Sequence, residues 1–195
     1  MEETRNSLPE NAQRELAPGE EYKPLLGAER KWAEVTPYSV TLGLLMVVIF
    51  SAAAAYLGLR VGQVFEAAIP IAIIAVGLTS ALGKKEGLGQ NVIIQSIGGC
   101  SGAVVAGAIF TLPAIYILGV DVSFMQMFLS SLLGGVLGIL FLIPFRKYFV
   151  KEMHGKYPFP EATATTQILV SGEGGGKGAG TLLVSGFIGL SLIHI

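Results

Sequence analysis

Charge is what this chain has least of. Only 14% of its 195 residues are Asp, Glu, Lys or Arg, against about a quarter in ordinary soluble domains. The deficit is concentrated: no charged residue falls in 35–59, 67–83, 87–120, 122–145 or 178–195. A bilayer core about 30 Å thick is crossed by a helix of roughly 20 apolar residues. A soluble helical core would keep a polar stripe on its outer helices. LGLLMVVIFSAAAAYLGL and FLSSLLGGVLGILFLIPF have no such stripe. The expected fold class is therefore all-α integral membrane, a polytopic bundle of four complete spans and a truncated fifth.

Other absences narrow the function. The single cysteine, Cys100, excludes an intrachain disulfide. There is no HExxH and no GxSxG, and the two histidines, His154 and His194, are far apart. SGEGGGKGAG fails the phosphate-loop pattern, because Gly178 follows Gly176-Lys177 where Ser or Thr is required. It reads as a flexible linker. No metal site, cofactor or enzyme activity is expected, and a net charge of −1 gives no sign of a nucleic-acid partner.

What is present divides the chain into four parts. Residues 1–34, with eight acids and five bases, read as a polar, loosely ordered tail. Residues 35–145 hold the four spans: 35–59, one ending at Gly83, one over 99–118 approached by LGQNVIIQSI, and 122–145. A basic loop follows over 146–177, and the cut-off fifth span occupies 178–195. With the amino terminus inside, the inner segments carry twelve Lys and Arg against one, Arg60, outside. That asymmetry predicts a cytoplasmic amino terminus in a multi-pass protein of the cell membrane. Three glycine pairs, Gly58/Gly62, Gly98/Gly102 and Gly134/Gly138, suggest close helix packing.

Candidate functional residues are polar groups in apolar surroundings. Glu66 is either an intramembrane proton-pathway carboxylate or an interfacial one. Pro70, four residues on, can open the local hydrogen-bond ladder. Gln90, Asn91 and Gln95 can tie helices together or face a polar substrate. Pro113 can kink the third span, with Thr111 satisfying freed backbone. His154 reads as a solvated loop residue. In KYPFPEATATTQ, Pro160 suits a first helical position and Glu161 the positive end of the helix dipole. The resulting helix, 160–171, spans about 18 Å. It either lies on the membrane surface or enters the bundle as a half-helix of the kind transporters aim at substrates.

PFRKYFVKEMHGKYPFPEATATTQILVSGE resembles a hallmark of the oligopeptide transporter family, including its yellow-stripe-like metal-chelate branch. AYLGLRVGQVFEAAIP and GLGQNVIIQSIG are similar to two further family segments, in the family's order. Ala162 stands where the family usually has Gly, and Gln90 where it has an acid. The resemblance implies a secondary transporter importing small peptides or peptide-like metal chelates, coupled to protons. It also implies a chain longer than this one, so that these residues need the rest of a bundle and do not transport alone. The residues it suggests for substrate or proton handling are Glu66, Gln90, Asn91, Gln95, Tyr157, Glu161 and Thr163, with Pro158 shaping the approach to the half-helix. Another carrier or channel, or a non-transporting membrane scaffold, is the alternative. The final LSLIHI resembles adapter read-through and is not expected to be native.

Overall fold

The structure is a computed structural model and describes residues 7–27, 29, 31, 33–84, 87–172, 180, 181, 184, 185 and 188. Among the described residues α-helices run in chain order as α1 (Pro37–Val61), α2 (Ala68–Ala81), α3 (Leu88–Ile117), α4 (Phe124–Lys147) and α5 (Pro160–Ser171), with further helical residues at 180, 181, 184, 185 and 188. No strand occurs among the described residues. The truncated fifth span lies largely outside the described residues, as does the LSLIHI terminus.

Local chemistry sets the helix ends. Thr36 caps α1 through a reciprocal box with Ser39, and Pro37 takes the first helical position, where its missing N–H costs nothing. Gly62, at φ 74, closes α1 in the left-handed conformation, which glycine adopts without a Cβ penalty. Ser123 and Gln126 form the same reciprocal box at the start of α4. A π-helical turn, Tyr148–Glu152, carries α4 on.

Among the described residues three helices are long and apolar enough to cross a membrane: α1, α3 and α4 with its π turn. The second span differs from expectation. Residues 62–67 are not helical, and α2 has only 14 residues, about 21 Å at 1.5 Å per residue. Pro70 falls in its first turn, so it opens no ladder there. The third span also differs. LGQNVIIQSI is no separate approach but the start of one 30-residue helix, because nothing between Leu88 and Leu118 halts it before Pro113. Thr111 Oγ1 donates to the Gly107 carbonyl at 2.5 Å, so it does not satisfy the Ile109 carbonyl, two residues on, that Pro113 leaves without its usual donor.

α1 lies along α3, α2 packs on α3, and α5 packs on α2 and α3. One core cluster joins the first three helices through Met46, Ala67, Ile71, Ala75 and Ile94. The second joins α2, α3 and α5 through Ala72, Val76, Leu88, Leu169 and Val170, with Leu8, Leu25 and Leu26 packed against it. The described part of the amino-terminal segment thus packs against the helices. Its leucines bury apolar surface, and Glu20 binds Arg14, Asn11 and the Ala17 N–H within it.

That segment also reaches the loop before α5. His154 Nε2 donates to the Asn11 carbonyl at 2.9 Å, and its ring lies 5.2 Å from that of Tyr22. His154 is thus a half-buried contact residue, not a solvated one. Gly155, at φ +72, touches the Arg14 backbone so closely that no Cβ would fit.

Candidate functional site

A cavity of about 510 Å³ opens where α5, α3, the start of α2 and the amino-terminal segment meet. Such a volume falls within the usual range for small-molecule sites. α5 contributes Glu161, Ala162, Thr165, Thr166, Leu169 and Val170. α3 contributes Leu88, Val92 and Gln95, and α2 contributes Ala68. Leu8, Tyr22, Leu25 and Leu26 complete the wall.

The periodicity of α5 explains its share. Glu161, Thr165 and Leu169 are four apart and so lie on one helix face. Leu169 is 4% exposed and anchors that face in the second core cluster. Gly172 comes so close to the Val76 side chain that a Cβ there would overlap it. This close approach keeps the carboxyl end of α5 on α2.

Four polar groups of the lining have no hydrogen bond among the described residues, the Tyr22 hydroxyl being one. Thr165 is 5% exposed, and its Oγ1 is buried without a hydrogen bond. Leaving a buried hydroxyl unsatisfied costs on the order of 1–3 kcal/mol, so an orphan of this kind asks for a ligand or water. The Gln95 amide and the Glu161 carboxylate also lack a protein hydrogen bond, while Thr166 is satisfied by the Ala162 carbonyl. The cavity thus offers a carboxylate, an amide and a hydroxyl among leucine and valine side chains.

The other sequence-derived candidates lie elsewhere. Asn91, 4% exposed, accepts from Thr79 Oγ1 at 2.6 Å. Tyr38 OH lies 3.3 Å from that hydroxyl, so Asn91 belongs to a polar tie between α1, α2 and α3. Gln90 accepts a 3.4 Å bond from Lys84, whose ammonium stands 3.4 Å over the Tyr38 ring. Glu66 is exposed in the non-helical link between α1 and α2, with its carboxylate against Gly102 of α3. Beside Gly102, Ser101 is fully buried, and its hydroxyl is also without a partner.

Tyr157 is exposed in an aromatic row with Phe149 and Phe159, their ring centres 6.4 and 6.2 Å away. Pro158 sits within that row, and Pro160 opens α5. Thr163, half-buried, bonds through its N–H to the Phe159 carbonyl and does not line the cavity. The structure therefore brings Gln95 and Glu161 together and leaves the other five apart.

Sequence reasoning did not single out Thr165 or the amino-terminal wall. Thr165 had a legible signal, its i,i+4 relation to Glu161. The leucines of the tail had none, because isolated apolar residues in a polar segment do not show what they pack on.

Comparison with known proteins settles the lineage. The family model described as OPT oligopeptide transporter protein matches residues 34–193. The chain belongs to the oligopeptide transporter family. A putative oligopeptide transporter of Haemophilus influenzae is 34% identical over 120 residues, covering 60% of this chain and 18% of that protein. The chain thus spans less than a fifth of the length of this transporter relative. No solved structure matches it. Family membership and the three long apolar helices make it a multi-pass membrane protein.

Proposed function

We propose that this chain forms part of a secondary transporter that imports oligopeptides or peptide-like metal chelates in symport with protons, and that the α3–α5 cavity contacts the substrate. The observation that carries the reading is the cavity itself. It sets unpartnered Thr165, Gln95 and Glu161 among apolar side chains, a mixture suited to a ligand that alternates amides with apolar groups. α5 acts as a half-helix packed into the bundle, not as a surface helix. Asn91 and Gln90 brace the helix ends that frame the site, and Tyr157, Pro158 and Thr163 shape the approach to α5.

Glu66 serves as the proton carrier. Its place in the non-helical link, against the small surface of Gly102, leaves the carboxylate room to change protonation without breaking a protein hydrogen bond. The amino terminus faces the cytoplasm in this reading, on the strength of the Lys and Arg distribution.

The test is uptake of radiolabelled trialanine, and separately of a peptide-like iron chelate, by cells expressing the open reading frame that carries this chain. A pH gradient is imposed across the membrane. Glu66→Gln is expected to abolish the stimulation by the gradient while leaving substrate binding intact. Proton dependence equal to that of the parent removes Glu66 from the relay. Uptake of ions without either substrate would favour a different carrier.

A further inference from the structure

We propose that the cavity receives the amino-terminal, ammonium end of its ligand, and that Glu161 selects it. This rests on the transporter reading above and specifies which end of a peptide-like substrate meets α5.

The first support is charge. Among the described lining residues Glu161 is the sole ionisable group apart from the Tyr22 phenol, and no Lys, Arg or His faces the cavity. A free carboxyl terminus would meet a like charge there, whereas an ammonium would meet its complement. The second is donor and acceptor arithmetic. An ammonium carries three N–H donors and no acceptor. The lining's acceptors without a protein hydrogen bond include the buried Thr165 hydroxyl, the Gln95 amide oxygen and, at the exposed edge, the Glu161 carboxylate.

The amino end of α5 would by itself favour an anion. Glu161 stands in that first turn, however, and offsets the positive end of the helix before any ligand arrives. The buried Thr165 hydroxyl, one turn further on, gives the second observation that a bare helix terminus lacks. The apolar wall of Leu8, Leu25, Leu26 and Val92 then accommodates the first side chains of the ligand.

The experiment uses the protein encoded by the open reading frame that carries this chain, reconstituted in lipid nanodiscs, and measures equilibrium binding of trialanine, N-acetyl-trialanine and trialanine amide. Trialanine and its amide are expected to bind alike, and the acetylated peptide about tenfold or more weakly, the scale of one charge-assisted hydrogen bond. Glu161→Gln should erase the difference, and Glu161→Asp should retain most of it. Thermal unfolding of both variants shows whether they are folded. If Glu161→Gln is not, retention of discrimination in Glu161→Asp with its loss in Gln95→Leu still supports the assignment. Equal binding of the acetylated and amidated peptides, or weaker binding of the amide, overturns it. Failure of all three peptides to bind overturns the substrate-site reading itself.

Discussion

α3 and α4 are both long apolar helices, yet their surroundings differ completely. α3 buries Leu88, Asn91, Ile94, Ser101 and Val105 against α1, α2 and α5. Among the described residues α4 buries none of its side chains, and its close neighbour is the π turn that continues it. Glycines show the same split. A Cβ on Gly98 would press on Ile71 and Met46, and one on Gly43 on Ile97, whereas Gly134, Gly135 and Gly138 have nothing within 4 Å. Apolar composition thus states that a helix belongs in a membrane. It does not state which face meets lipid and which meets protein.

That contrast can be broken most forcefully in the core. Leu169→Ala, in the cluster that holds α5 on α2 and α3, should cost about 2–5 kcal/mol. Leu140→Ala in α4, whose side chain is exposed, should be close to neutral. Thermal unfolding in a lipid nanodisc compares the two, and equal losses would mean that α4 is packed as tightly as α5.

A subtler pair sharpens the glycine comparison. Gly98→Ala should destabilise by about 1–3 kcal/mol through overpacking against Ile71, while Gly138→Ala should not destabilise at all. The same unfolding assay reads both. A stable Gly98→Ala variant would show that Ile71 gives way freely.

The smallest effect concerns the amino-terminal segment. The Glu20 carboxyl is held down to about 2, first by the hydrogen bond from Arg14 and then by the Ala17 N–H. A carboxyl lowered in the folded state contributes order above its ordinary value of about 4 and loses it as pH falls towards the folded value. Because Arg14 is exposed and Glu20 only partly buried, the effect should be slight and weaker in high salt. Proteolysis within residues 7–27 should rise modestly between about pH 4 and pH 2. Unchanged cleavage over that range would show that Leu8, Leu25 and Leu26 alone hold the segment.

Much of the fold was legible because its signals are local. Long uncharged runs marked the helices, and Pro160 and Gly172 flank α5, whereas the first span was read as 35–59 and the Thr36 cap and left-handed Gly62 set the ends of α1 at Pro37 and Val61. The shortness of α2 was less legible. Residues 62–67 are apolar enough to read as part of a span, and only Gly62 marks the break. The site was half legible. Glu66, Gln90, Asn91 and Gln95 look alike in sequence, as polar residues in apolar context. Tertiary contacts separate them: Asn91 is used up by Thr79, whereas Gln95 reaches the cavity. The cavity's fourth wall comes from residues more than 130 positions away from α5, a pairing that no local pattern encodes.

The central claim, that substrate occupies the cavity between α3, α5 and the amino-terminal segment, can be tested on a single atom. Cys100 is the one cysteine of these 195 residues, so Cys100→Ser, together with replacement of any cysteine elsewhere in the open reading frame, gives a thiol-free background into which Thr165→Cys is introduced. The rate of its modification by a small thiol reagent is then measured with and without trialanine. Substrate should slow labelling at least several-fold, while a cysteine placed at Leu140 on α4 should be indifferent to peptide. Labelling of Thr165→Cys at the same rate across saturating concentrations of peptide and chelate would contradict the account.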